Sequence, residues 1–184
     1  HDGKVTVMRL NEDGTIGEMT DEIFHKGLGS VAERNFRPHV NCVNITPDQK
    51  YLCAVDLGVD QVKIYKFNHE TGKITLVDML RCELESAPRI IKFSPDGRFA
   101  YLICELKNYI SVYSYKDGPR GPVFELLQTI STLNDYHSSG SAACVLRFSR
   151  DWKYVLCSNA GDNSIGIFKI DRETGKLEKI CILP

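Results

Sequence analysis

The sequence predicts an all-β fold, a β-propeller of four-stranded antiparallel blades, on three observations. One turn recurs as TPDQKY (46–51), SPDGRF (94–99) and SRDWKY (149–154), with Asp48, Asp96 and Asp151 in phase. A second recurs as HETGKI (69–74) and RETGKL (172–177), with Gly72 and Gly175 in phase. No stretch sustains helical periodicity over 11–18 residues; the chain is instead a succession of short apolar runs rich in β-branched and aromatic residues. Copies recur at intervals of about 50 residues, the range of propeller blades. A sandwich or barrel is the alternative, but a sandwich seldom repeats its turn sequences.

In chain order, VTVMRL (5–10) reads as a strand, NEDGT as a turn and IGEMTDEIF (16–24) as a second strand. Residues 26–38 are polar and Gly-containing and read as a loop. Four strands follow, HVNCVNI (39–45), YLCAVDL (51–57), VKIYKFN (62–68) and ITLVDMLRC (74–82). Their connections are a few residues long and can join only antiparallel neighbours. The second set is IIKFS (90–94), FAYLICE (99–105), YISVYSY (109–115) and VFELLQTI (123–130). The third is ACVLRFS (143–149), YVLCSN (154–159), SIGIFKI (164–170) and LEKICIL (177–183). The division is therefore a single partial propeller over 1–184, with a blade remnant at 1–25 and blades at 39–83, 88–131 and 142–184. A closed ring takes typically 4–8 blades, so three and a half cannot close. The expectation is a fragment of a longer propeller, or fragments that pair with one another. The one Trp, Trp152, sits in a turn, which disfavours the Trp-Asp repeat class.

Composition narrows the function classes. Twenty-three basic and 24 acidic residues give a net charge of −1 with no block of one sign, so no nucleic-acid or membrane-surface partner is expected. No apolar run is long enough to span a bilayer, and the first residues do not resemble a signal peptide. The seven cysteines, 42, 53, 82, 104, 144, 157 and 181, form no CxxC pair and lie mostly in strand patterns. They read as reduced, buried thiols of a cytoplasmic protein rather than a disulfide framework. No HExxH, zinc spacing or EF-hand pattern is present, so no metal and no cofactor is expected. GLGS (27–30) lacks a following helix, and HSSGSAA (137–143) lacks the setting of a nucleophile elbow.

The candidate site comes from the phase of the repeat. His39 and Arg89 lie where first strands start; Asp56 and Glu105 lie where second strands end. Antiparallel pairing puts both positions at one mouth of the propeller, so four ionisable groups from adjacent blades are expected to converge there. Such a set suits acyl or lactone chemistry. A carboxylate can activate water, an Arg can hold a substrate anion or developing oxyanion, and a His can donate a proton. Each residue also has a bland reading: Asp56 as a turn former, Arg89 paired with Glu105 as a rim salt bridge, and His39 as a structural His. His25, His69 and His137 read as solvated loop residues.

PHVNCVNITPDQKYLCAVDLGVDQVKIY (38–65), PRIIKFSPDGRFAYLICELKNYISVY (88–113) and SAACVLRFSRDWKYVLCSNAGDNSIGIFKID (141–171) resemble the seven-bladed propeller lactonase family. That family includes bacterial 6-phosphogluconolactonases and fungal carboxymuconate lactonising enzymes. The resemblance implies part of a seven-bladed ring, a small-molecule lactone substrate and no cofactor. It also implies catalytic roles for His39, Arg89 and Glu105, with Asp56 and Arg89 binding substrate. Four positions depart from the family pattern: Asn41 and Ile90 where His is frequent, Cys144 where Glu is common and Ala160 where Arg is common. Two readings follow. One is a metal-independent hydrolase of a sugar lactone, 6-phosphogluconolactone first, with Glu105 as base. The other is a propeller that binds a ligand or protein without catalysis.

Overall fold

The computed structural model describes residues 3–30 and 35–184, and it is a partial β-propeller. Strands β1 (Lys4–Leu10) and β2 (Ile16–Phe24) form a two-stranded ribbon. The first blade contains β3 (Val40–Ile45), β4 (Tyr51–Asp56), β5 (Gln61–Phe67) and β6 (Ile74–Arg81). The second contains β7 (Pro88–Phe93), β8 (Phe99–Cys104), β9 (Tyr109–Gly118) and β10 (Gly121–Ser131). The third contains β11 (Ala142–Phe148), β12 (Tyr154–Ala160), β13 (Ser164–Ile170) and β14 (Leu177–Leu183). Every neighbouring pair within a sheet is antiparallel. Part of the loop expected over 26–38, residues 31–34, lies outside the described residues. The one helical element among the described residues is a 3-10 turn, Leu57–Val59, and no helix is long and apolar enough to cross a membrane.

The repeated turns have a common cause. Thr46, Ser94 and Ser149 donate their hydroxyls to the following aspartate at 2.6, 2.6 and 2.7 Å. The amides of Lys50, Arg98 and Lys153 donate to the same carboxylate oxygen at 3.2, 3.1 and 3.2 Å. Between them sits a residue of positive φ, Gln49, Gly97 or Trp152. Only one of the three is glycine, so this side-chain network, not a glycine alone, holds the left-handed residue.

The other repeated turn does require glycine. Gly72 and Gly175 have φ of +69° and +72°, and an added Cβ would lie 2.4 Å from Thr20 Oγ1 or 2.3 Å from the Phe99 ring. Both turns therefore seat one blade against its predecessor. The β9–β10 hairpin departs from expectation. Its strands run on to Gly118 and back from Gly121, with Pro122 paired opposite Asp117, where a longer loop was expected.

Blades stack face to face, so β4 and β8 are buried along their whole length. In β8, Ala100, Leu102 and Cys104 pack toward the first blade with Val55, Ile64 and Ile91. Phe99, Tyr101 and Ile103 pack toward the third with Leu146, Val155 and Phe168. Val5 of the ribbon meets Leu52, Ala54 and Tyr65 of the first blade. Burial on both faces is why YLCAV and FAYLIC are continuous apolar runs rather than alternating ones.

Candidate active site

The site is built on a β-bulge repeated in the first strand of every blade. The ladder pairs Val40 with Asp56, Pro88 with Cys104 and Ala143 with Asn159. The next partners are Cys42 with Val55, Ile90 with Ile103 and Val145 with Ser158. One residue of each first strand is thus left unmatched: Asn41, Arg89 and Cys144. A bulge re-aims a side chain and twists its strand. Here it breaks the inward–outward alternation at the strand's start, and neighbouring blades meet across it. Asn41 Nδ2 donates to the Arg89 carbonyl at 3.4 Å, and Asn44 Nδ2 donates to the Ile91 carbonyl at 3.1 Å.

Arg89 and Glu105 come together. Arg89 Nη1 donates to Glu105 Oε2; the carboxylate side is 1 % exposed and the Arg side chain 27 %. Glu105 follows β8 directly, and its backbone is fixed on both sides. Its amide donates to the Ala87 carbonyl at 2.8 Å, and its carbonyl accepts from the Ala143 amide of the third blade at 3.1 Å. A buried, backbone-anchored carboxylate thus holds the guanidinium of a part-exposed Arg side chain. An Arg so positioned is suited to a carboxylate, a phosphate or a developing oxyanion.

Asp56 is not part of that group. The expectation of four converging ionisable side chains equated Asp56 with Glu105, but the ladder aligns Asp56 with Cys104, one residue earlier. A shift of one residue in a strand sends the side chain to the other face. Asp56 is wholly buried, and His25, expected to be a solvated loop residue, is its partner. His25 Nδ1 donates to Asp56 Oδ2 at 2.6 Å, and its Nε2 lies 3.0 Å from the Tyr65 hydroxyl. Asp56 Oδ1 accepts from the His39 amide at 2.7 Å and the Gly58 amide at 3.1 Å. The carboxylate therefore clasps the end of the ribbon to the first blade and fixes the backbone of His39. Burial pushes the Tyr65 phenol up to about 12, with the Asp56 carboxylate adding to the rise. Burial likewise pulls the Lys63 ammonium down, against the opposing pull of Asp56.

Asp60 is a second aspartate with a structural task that the sequence reading did not single out. It is 3 % exposed, and its carboxylate accepts from the amides of Glu85 and Ala87 at 2.8 Å and from Asn35 Nδ2 at 3.0 Å. It pins the link into the second blade. Its counterpart Asn108 donates to the Ser141 carbonyl at 2.9 Å and pins the link into the third. Both residues have positive φ, +53° and +52°, which an Asp or Asn tolerates.

Elsewhere on the rim, Cys144 donates weakly to the Ala142 carbonyl at 3.2 Å, Ala160 is exposed, and Ile90 packs toward the third blade. His69 and His137 are exposed, as their loop positions imply. Among the described residues no three His, Cys, Asp or Glu side chains are placed to hold a metal ion. The seven cysteines are unpaired, and Cys53, Cys104 and Cys157 are buried.

Comparison with known proteins bears on this geometry. A family model described as "Lactonase, 7-bladed beta-propeller" matches residues 1–184. An uncharacterised protein of Lactococcus lactis subsp. cremoris is 39 % identical over 181 residues, covering 98 % of this chain and 51 % of the relative. The 6-phosphogluconolactonase of Bacillus subtilis is 31 % identical over 177 residues, covering 96 % of this chain and 49 % of the relative. The solved periplasmic gluconolactonase of Pseudomonas aeruginosa superposes with a TM-score of 0.88 at 29 % identity, covering 97 % of this chain and 50 % of that one. The chain spans about half the length of the curated relatives it matches.

Proposed function

This chain belongs to the seven-bladed β-propeller lactonase family, and from that premise we propose that the whole protein hydrolyses a sugar lactone, with 6-phosphogluconolactone the first candidate substrate. The observation that carries the reading is the Arg89–Glu105 pair, set at a bulge with the Arg89 side chain part-exposed. The 6-phosphogluconolactonase relative supports the choice of substrate. The seven unpaired cysteines favour a cytoplasmic setting.

In this proposal Glu105 takes a proton from water as the water oxygen attacks the lactone carbonyl. Arg89 holds the oxyanion of the tetrahedral intermediate. Collapse breaks the ring C–O bond, and His39 gives a proton to the leaving ring oxygen. The proton on Glu105 then returns to solvent and His39 is reprotonated. No cofactor enters, and substrate binding beyond Arg89 falls to groups other than the enclosed Asp56.

The test is lactone opening by the full-length protein, measured against spontaneous hydrolysis. A rate above background that falls about 10²-fold or more in Glu105→Gln supports the proposal. No acceleration, or an unchanged rate in Glu105→Gln, refutes it. One observation favours a binding-only reading: Glu105 is 1 % exposed and engaged by Arg89, and the matching bulges carry Asn41 and Cys144. That reading predicts saturable binding of the acid product with no turnover.

A further inference from the structure

At the end of the blades opposite Arg89, the seam between the first and second blades is bridged by a polar clasp. Asp117 accepts from Lys50 Nζ at 2.5 Å and from the Tyr51 hydroxyl at 2.9 Å. The Tyr115 hydroxyl donates to Asp48 at 2.8 Å. The three blades stay in register from the turn aspartate through their third strands. Tyr51 pairs with Lys66, Phe99 with Ser114 and Tyr154 with Lys169. The next seam can therefore be compared residue by residue.

There the Asp48 carboxylate is kept as Asp96 and the Lys50 cation as Arg98, but the other three polar members, Tyr51, Tyr115 and Asp117, have been exchanged. Phe99 stands in phase with Tyr51, Ile170 with Tyr115 and Arg172 with Asp117, while Arg98 takes the place of Lys50. In place of the Lys50–Asp117 attraction, Arg98 Nη2 donates to the Arg172 carbonyl at 2.7 Å and Arg172 Nη2 donates to the Asp151 carbonyl at 2.7 Å. This seam holds a cleft of about 400 Å³ floored by Phe99, Tyr101, Phe148 and Ile170, where the first seam has one of about 390 Å³ lined by Asp48, Tyr115 and Asp117. That volume lies in the range of small-molecule sites. Trp152 forms a wall. It takes φ +56° where the second blade has Gly97, and its ring lies 4.4 Å from that of Phe148.

We propose that this cleft binds a small carboxylate with an apolar body, such as an arylalkanoic acid. The carboxylate replaces the missing Asp117 group between Arg98 and Arg172, and the body lies on the aromatic floor. Asp96 already pairs with Arg98 Nε, so the ligand carboxylate would take the remaining N–H groups of Arg98 and Arg172. Asp96 is occupied by Ser94 and by the Arg98 amide and Nε, and Asp151 by Ser149 and Lys153. Glu173 also lines the cleft, so the two guanidiniums and not the net charge of the rim select the anion.

Trp152 is the sole tryptophan of the chain and gives a local readout. Its fluorescence is titrated with 3-phenylpropanoate and, in parallel, with 3-phenylpropanol. The acid is expected to give a saturable change and the alcohol at least tenfold weaker binding. Arg172→Asp, which restores an Asp117-like carboxylate, and the milder Arg172→Gln are expected to weaken the acid at least tenfold. Equal titration by the alcohol, unchanged binding in both variants, or no saturation up to tens of millimolar overturns the proposal. Lactone opening plays no part in this readout, so its outcome is independent of the proposed hydrolysis.

Discussion

Two carboxylates of similar sequence context do opposite things, and substitution separates them. Asp56 is wholly buried and receives His25, the His39 amide and the Gly58 amide. Asp56→Ala leaves those buried donors without their acceptor, which costs about 1–3 kcal/mol or more. Urea denaturation is expected to show that loss. A substrate-binding Asp56 would instead leave the denaturation midpoint unchanged and raise KM alone. Arg89 differs because its side chain is part-exposed. Arg89→Lys keeps the charge but not the planar fork, so stability is expected to move by less than about 1 kcal/mol while lactone opening falls at least tenfold. Equal rates for Arg89→Lys and the parent would remove Arg89 from oxyanion binding.

At the scale of the element, the repeat made much of the fold legible. In-phase turns and continuous apolar runs are local features, set by sterics and by burial on both faces, and they place every strand to within a few residues. The bulge was not legible, because one extra residue between Val40 and Cys42 or Pro88 and Ile90 leaves no mark on composition. It does not touch the second strands: counted from the in-phase turn aspartates, TPDQKYLCAVD aligns with SPDGRFAYLIC, so the match of Asp56 to Cys104 rather than Glu105 was already legible in the sequence. His25 was invisible for another reason. Its partner is 31 residues away, and only packing of the ribbon on the first blade joins them. Arg89–Glu105 was readable because both residues flank one hairpin. The seams carry a pH dependence of their own. Burial raises the phenol of Tyr65 to about 12 and those of Tyr101, Tyr113 and Tyr115 above their usual range. A folded pKa above the unfolded value of about 10 means stability is intact below pH ~10 and lost as pH rises from there through ~12. Thermal melts from pH 9 to 12 are expected to show falling Tm. The slope is expected to be shallower in Tyr65→Phe; an identical slope would show that Tyr65 does not contribute.

For the whole molecule, the decisive feature is how blades meet. Each internal seam buries a strand face completely, as Ala100, Leu102 and Cys104 show on one side of the second blade and Tyr101 and Ile103 on the other. The outer face of the third blade has the same apolar pattern, and no described residue covers it: Val145 is 38 % exposed, Ile165 48 %, Ile180 50 % and Leu183 49 %. The ribbon at the other end exposes Met8, Leu10, Ile16 and Met19. Apolar surface of this kind favours association by about 25 cal/mol for each Å² removed from water. Taken by itself, this 184-residue stretch is therefore expected to self-associate through these faces, with a sedimentation coefficient that rises with concentration. Ile165→Lys with Ile180→Glu charges the centre of the face without touching a seam. This pair of changes is expected to hold the chain monomeric while leaving its far-ultraviolet dichroism unchanged. A parent chain that sediments as a monomer at all concentrations would show that blade faces of this composition tolerate water, and the seams would then owe their stability to clasps such as Asp117–Lys50 and Asp56–His25.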